Sequence, residues 1–121
     1  MASIDQTQNA SFDIEWARGD NDPKLFRIKS GGSVVDISEW VLRMAVNSEL
    51  NPADGQKQIF SVQGQFVTDG KDGEVYFTPP AGSLDSIPAP VIVYYDISRV
   101  SPSKKTLLKG KVNIIMDIDK S

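Results

Sequence analysis

Residues 91–118, VIVYYDISRVSPSKKTLLKGKVNIIMDI, declare the fold more openly than any other part of the chain. Val91, Val93, Tyr95 and Ile97 fall on alternate positions. After a polar, turn-forming segment at Val100-Ser101-Pro102-Ser103-Lys104, the residues Leu108, Gly110, Val112, Ile114, Met116 and Ile118 alternate again. A period of two sends successive side chains to opposite faces of a strand, so each run predicts a strand with one face in a core. The segment between them predicts a hairpin loop.

Working outward towards the N-terminus, the same period recurs. Val75 and Phe77 share an inward face after Asp69-Gly70-Lys71-Asp72-Gly73, the strongest turn in the chain. Phe60, Val62 and Phe66 line one parity of a strand interrupted at Gly64, where a bulge or bend is expected. Asn51-Pro52-Ala53-Asp54-Gly55 breaks the pattern before it. Leu42, Met44 and Val46 alternate through a strand at residues 41–47; Ser38 offers an N-cap, which makes a short helix over residues 38–50 the competing reading. Trp40, beside a bend, reads as a core plug. Phe12, Ile14 and Trp16 alternate with Asp13 and Glu15, and the turn-rich residues 18–23 are expected to join them in a hairpin with Phe26 and Ile28. Residues 78–90 read as a proline-containing connection whose Leu84 and Ile87 cap the core.

Short strands separated by regular turns predict an all-β domain, an immunoglobulin-like antiparallel β-sandwich of about seven strands. A chain of 121 residues is long enough for one packed core and too short for two, so residues 11–121 are expected to form a single domain. Residues 1–10, rich in Gln, Ser, Thr and Asn, are expected to be a flexible N-terminal arm.

Composition narrows the chemistry. The formal net charge is −3, with acids and bases interspersed, which gives no footprint for nucleic acid or an anionic membrane surface. The N-terminal residues lack the basic start and apolar stretch of a secretory signal, so the chain is expected to stay in the cytoplasm or enter a particle assembled there. Cysteine and histidine are both absent, which excludes thiolate nucleophiles, zinc–thiolate sites and Ser-His-Asp catalysis. Carboxylate, lysine or tyrosine chemistry survives, but no arrangement points to it; neither catalysis nor a cofactor or metal is expected.

Candidate sites divide into turns, carboxylates and misplaced apolar residues. Arg18-Gly19-Asp20 matches an integrin-binding tripeptide, yet three residues recur by chance and turn chemistry explains each of them. The acids of residues 20–22 and Asp69, Asp72 and Glu74 lack the spacing of a calcium loop. Asp5, Asp36, Asp96, Asp117 and Asp119 offer carboxylates for glycosidase-like work, with no spacing that brings two of them together. Gly31-Gly32 and the Gly70–Gly73 segment are not phosphate cradles, since no Gly-Lys-Ser/Thr follows. More informative are Tyr76, Ile92, Tyr94 and Ile115, apolar residues on the parity that faces away from the core. Either they form a patch where subunits meet, or they lie beneath the N-terminal arm or the connection at residues 78–90.

Several segments, in order, resemble a known family. They are Phe12-Asp13-Ile14-Glu15-Trp16 leading to Gly19-Asp20, then Val35-Asp36-Ile37 ahead of Trp40, Gly73-Glu74-Val75-Tyr76-Phe77, Tyr95-Asp96-Ile97, and Leu108 to Val112 in the closing strand. Together they resemble small tailed-phage virion domains, notably the N-terminal domain of phage baseplate upper proteins, over most of the chain. The resemblance implies an immunoglobulin-like domain that attaches one virion component to another at tail, baseplate or neck. Its partners would be other virion proteins and copies of itself, in a symmetric multimer, with no catalytic residue and no cofactor carried over. The family domain is usually followed by a longer chain, and the early end of this sequence favours a small connector or decoration over receptor binding. The alternative class is a carbohydrate-binding β-sandwich module using Trp16, Trp40 and Tyr94.

Overall fold

The computed structural model describes residues 2–5, 10–18, 22–48, 58–84, 87 and 90–116. These contain eleven strands: β1 (Ala2–Asp5), β2 (Ala10–Ser11), β3 (Ile14–Ala17), β4 (Lys24–Ser30), β5 (Ser33–Val34), β6 (Val41–Asn47), β7 (Gln58–Gln63), β8 (Gln65–Phe66), β9 (Glu74–Phe77), β10 (Val91–Ser101) and β11 (Lys105–Ile115). The first sheet runs β1-β4-β9-β8, with β5 added to β4; the second runs β2-β11-β10-β6-β7, with β3 also on β11.

Alternation builds the core. Phe26 and Ile28 of β4, Leu42, Met44 and Val46 of β6, Val93, Tyr95 and Ile97 of β10, and Val112 and Ile114 of β11 are all buried, as the two-residue period requires. Both sheets contribute to one cluster, in which Phe26 meets Phe77 edge-on at 6.0 Å and Trp16 meets Phe60 at 6.1 Å. Such ring pairs contribute about 1 kcal/mol each beyond their burial. Leu84 and Ile87 are buried against the same cluster, as expected of the connection at residues 78–90.

The chain changes sheet repeatedly. β1 to β2, β3 to β4, β5 to β6, β7 to β8 and β9 to β10 each cross from one sheet to the other. Gly64 makes the β7–β8 crossing, and a Cβ there would lie 2.7 Å from Val75 Cγ2 and 2.8 Å from Phe77 Cε1. Only a residue without a side chain passes so close to the core at that corner. The Gly31-Gly32 turn closes β4 on β5 with φ of 58° and 87°, values that suit glycine.

The all-β sandwich read from the sequence is present, with corrections. Its sheets are mixed, because β1 runs parallel to β4, and β2 and β3 run parallel to β11. Residues 18–23 do not close a hairpin: β3 stays at the edge of the second sheet while β4 enters the first. Turn-rich composition marks where the chain bends but not which sheet the next strand joins. The Trp16 indole N–H, donating to the Asp22 carbonyl at 2.9 Å, ties down this connection.

Within the stretch expected to be an arm, Ala2–Asp5 pair with β4 and bury Ile4 completely. The Asp5 carboxylate accepts the backbone N–H groups of Gly31 at 3.1 Å and Gly32 at 2.9 Å, fastening the strand to the turn. Residues 6–9 lie outside the described residues.

Phe12 and Met116, expected inward, are 44% and 47% exposed. Met116 follows the end of β11 and has no strand neighbour among the described residues. Phe12 lies where the chain swells away from β11 between β2 and β3. At the swelling the Tyr95 hydroxyl donates to the Phe12 carbonyl, and the Asp13 carboxylate accepts the Lys111 N–H at 3.1 Å. The register with β11 is the same on either side, so parity is kept. Phe12 meets the buried Phe26 ring edge-on at 6.5 Å and is exposed because it lies at the border of the core.

Candidate interaction surface

The outward parity of the second sheet places Ile92 and Tyr94 on β10 and Ile115 on β11. Register sets their neighbours: Ile92 faces Asn113, which faces Glu15, and Tyr94 lies between Lys111 and Asn47. Ile115, two residues beyond Asn113, sits diagonally from Ile92 and beside Ala17. Ile92 is 52% exposed, and Tyr94 and Ile115 are half-buried. Ala2–Asp5 do not cover this face, since they occupy the edge of the first sheet. Tyr76 stands apart: it belongs to the first sheet, opposite Leu25, with its hydroxyl donating to Gln65 Oε1 at 2.9 Å. The four candidates therefore occupy two surfaces, three on one sheet and Tyr76 on the other.

The second sheet's outward face also carries Asp96, level with Lys109 on one side and Ala45 on the other. Asp96 is half-buried, and desolvation raises its carboxyl above the ordinary range, against smaller opposing effects of the Ser98 hydroxyl, Lys109 and Lys104. Arg99 lies over the Trp40 ring at 4.7 Å and donates to the Ser103 carbonyl and hydroxyl at 2.8 and 2.9 Å. Trp40 packs half-buried against the core, in keeping with its reading as a plug.

The carboxylates do not converge into a reacting pair among the described residues. Asp5 serves the Gly31-Gly32 turn, while Asp36 accepts the Ser38 N–H and hydroxyl at 3.0 and 2.7 Å. Asp117 and Asp119 lie outside the described residues, as do Gly19 and Asp20 of the Arg18-Gly19-Asp20 tripeptide. Asp69 and Asp72 accept the N–H groups of Lys71 and Glu74 two residues on, the bonding of ordinary turns. Glu74 pairs with Arg27 across the strands. Trp16, one of the aromatic residues considered for sugar binding, is 2% exposed and faces the core.

The fold has a counterpart in a phage protein. The structure is similar to the N-terminal domain of phage TP901-1 ORF48, with a TM-score of 0.62 over 93% of this chain and 94% of that one. Sequence identity is 8%, so what the two share is the fold. No protein-family model and no curated protein sequence matches the chain.

Proposed function

We propose that this chain is a non-enzymatic structural protein of a phage or phage-like particle. It binds neighbouring virion subunits and copies of itself as a connector or decoration at tail, baseplate or neck, and its place of work is the virion. The observation that carries this reading is the near end-to-end likeness to a phage domain, which agrees with the segment order that resembles phage baseplate upper proteins. Fold likeness alone does not carry function, so the surface must supply the mechanism.

That surface is the outward face of the second sheet. Ile92, Tyr94 and Ile115 provide apolar contact area, and Glu15, Lys109 and Lys111 supply a charged surround. An apolar centre with a polar rim is the usual anatomy of a subunit contact. Sedimentation velocity over a concentration series tests it: the chain associates as concentration rises, and Tyr94→Glu returns it to a monomer. A strict monomer at high concentration, unaffected by Tyr94→Glu, removes this reading of the face.

A further inference from the structure

A second surface lies at the sheet edges, away from the centre of that face. A groove of about 500 Å³ runs between residues 12–15 and residues 23–26. Its walls are consecutive residues on both sides, whereas a groove on a strand's face is lined by alternate ones. It therefore opens onto strand edges. Among the described residues β3 is paired on one side only, with β11. On the other wall the described part of β1 reaches β4 only as far as Phe26, so among the described residues the same side of Lys24 and Leu25 has no strand partner. One edge of each sheet thus faces the groove.

The side chains add a pattern to the unpaired backbone. Phe12 and Leu25, 44% and 37% exposed, stand at the mouth, with buried Ile14 and Phe26 behind them. Glu15 brings an exposed acid to the wall, Asp13 adds its charge while its carboxylate accepts the Lys111 N–H, and Asp22 is exposed just beyond. The single base, Lys24, is drawn over the Trp16 ring at 5.5 Å. Unpaired backbone groups call for an extended chain. The apolar floor calls for an apolar side chain on its inward parity, and the acids call for bases on its outward parity.

We infer that this groove binds an extended segment of a partner protein, alternating apolar and basic residues, which adds as a strand to the free edge of β3. An inward side chain lies between Phe12 and Leu25, and the outward lysine or arginine lies beside Glu15. The inference goes beyond the proposed function and stands whether or not the partner is a virion protein.

The probe is a synthetic heptapeptide alternating lysine with valine or leucine, titrated into the whole chain and followed by amide hydrogen exchange. Binding slows exchange at Ile14–Ala17. Replacing every peptide lysine with glutamate weakens binding about fivefold, as exposed charge pairs allow. Leu25→Asp weakens the lysine peptide about tenfold, as loss of an apolar anchor does, and Glu15→Lys reverses the preference between the two peptides. Glu15 and Leu25 are exposed, and unchanged protection elsewhere shows that both variants fold. The inference is overturned by failure of the lysine peptide to bind at about 1 mM, where even weak strand addition registers. It is equally overturned by protection that falls on β7 instead, by indifference to Leu25→Asp, or by protection of Ile14–Ala17 that rises with protein concentration alone. That last result assigns the edge to a second copy of the chain.

Discussion

Single residues decide how the strand at the start of the chain meets the strand at its end. Gly110 sits under the swelling of residues 12–13, and a Cβ there would lie 2.1 Å from the Phe12 carbonyl oxygen and 2.8 Å from Tyr95 Cε1. The carbonyl is held by the Tyr95 hydroxyl, whose proton is retained because burial, and then the charge of Asp13, push its pKa up. Gly110→Ala must push this junction apart and is expected to cost about 3 kcal/mol, the upper range for overpacking, read as a lower urea midpoint. Tyr95→Phe removes only the hydroxyl and should cost about 1 kcal/mol. Asp96 supplies a pH dependence. Its folded carboxyl holds a proton more tightly than the unfolded chain does, so stability falls as pH rises from the ordinary aspartate range through the raised value. Asp96→Asn is therefore expected to be more stable than the parent at neutral pH, with the advantage shrinking as acid protonates Asp96 in both states. Urea unfolding at several pH values measures it, and an advantage that grows on acidification contradicts the assignment. Asp36 carries the opposite sign: bonds from the Ser38 hydroxyl and N–H lower its pKa, and that contribution is lost as pH falls through the lowered value.

Elements differ in how openly the sequence declares them. β6, β10 and β11 are legible because they are long and alternate over most of their length; in β11 the period breaks at Leu107 and Leu108, both buried, where its pairing with β10 shifts register. Gly64 is legible as a corner, though not as a change of sheet. The parallel partners are hidden, since β1, β2 and β3 are short and pair with strands far along the chain, which no local pattern records. Ala2–Asp5 has one large apolar residue, too few for a period, yet Ile4 is fully buried. Ile4→Ala is expected to cost about 3 kcal/mol, as truncation of a buried aliphatic side chain does. Thermal or urea unfolding reads this directly, and a change near zero would return the segment to the status of a loose arm.

At the scale of the whole molecule, repeated crossing between sheets puts the chain's few chemically active groups to structural use. Asp5, Asp36, Asp69 and Asp72 each hold a turn, and Trp16 fills the core. The outward parity of Ile92, Tyr94 and Ile115 was legible from alternation alone. That Tyr76 lies on the other sheet was not, because parity gives a face and never the sheet to which the face belongs. Surfaces are what remain for function, chiefly the outward face of the second sheet. Oxidative footprinting of tyrosines in a particle that contains the chain, compared with the isolated protein, tests this face. Tyr94 is expected to become strongly protected on assembly, while Tyr95, already buried, is unreactive in both. Equal reactivity of Tyr94 in the particle and in isolation would contradict it.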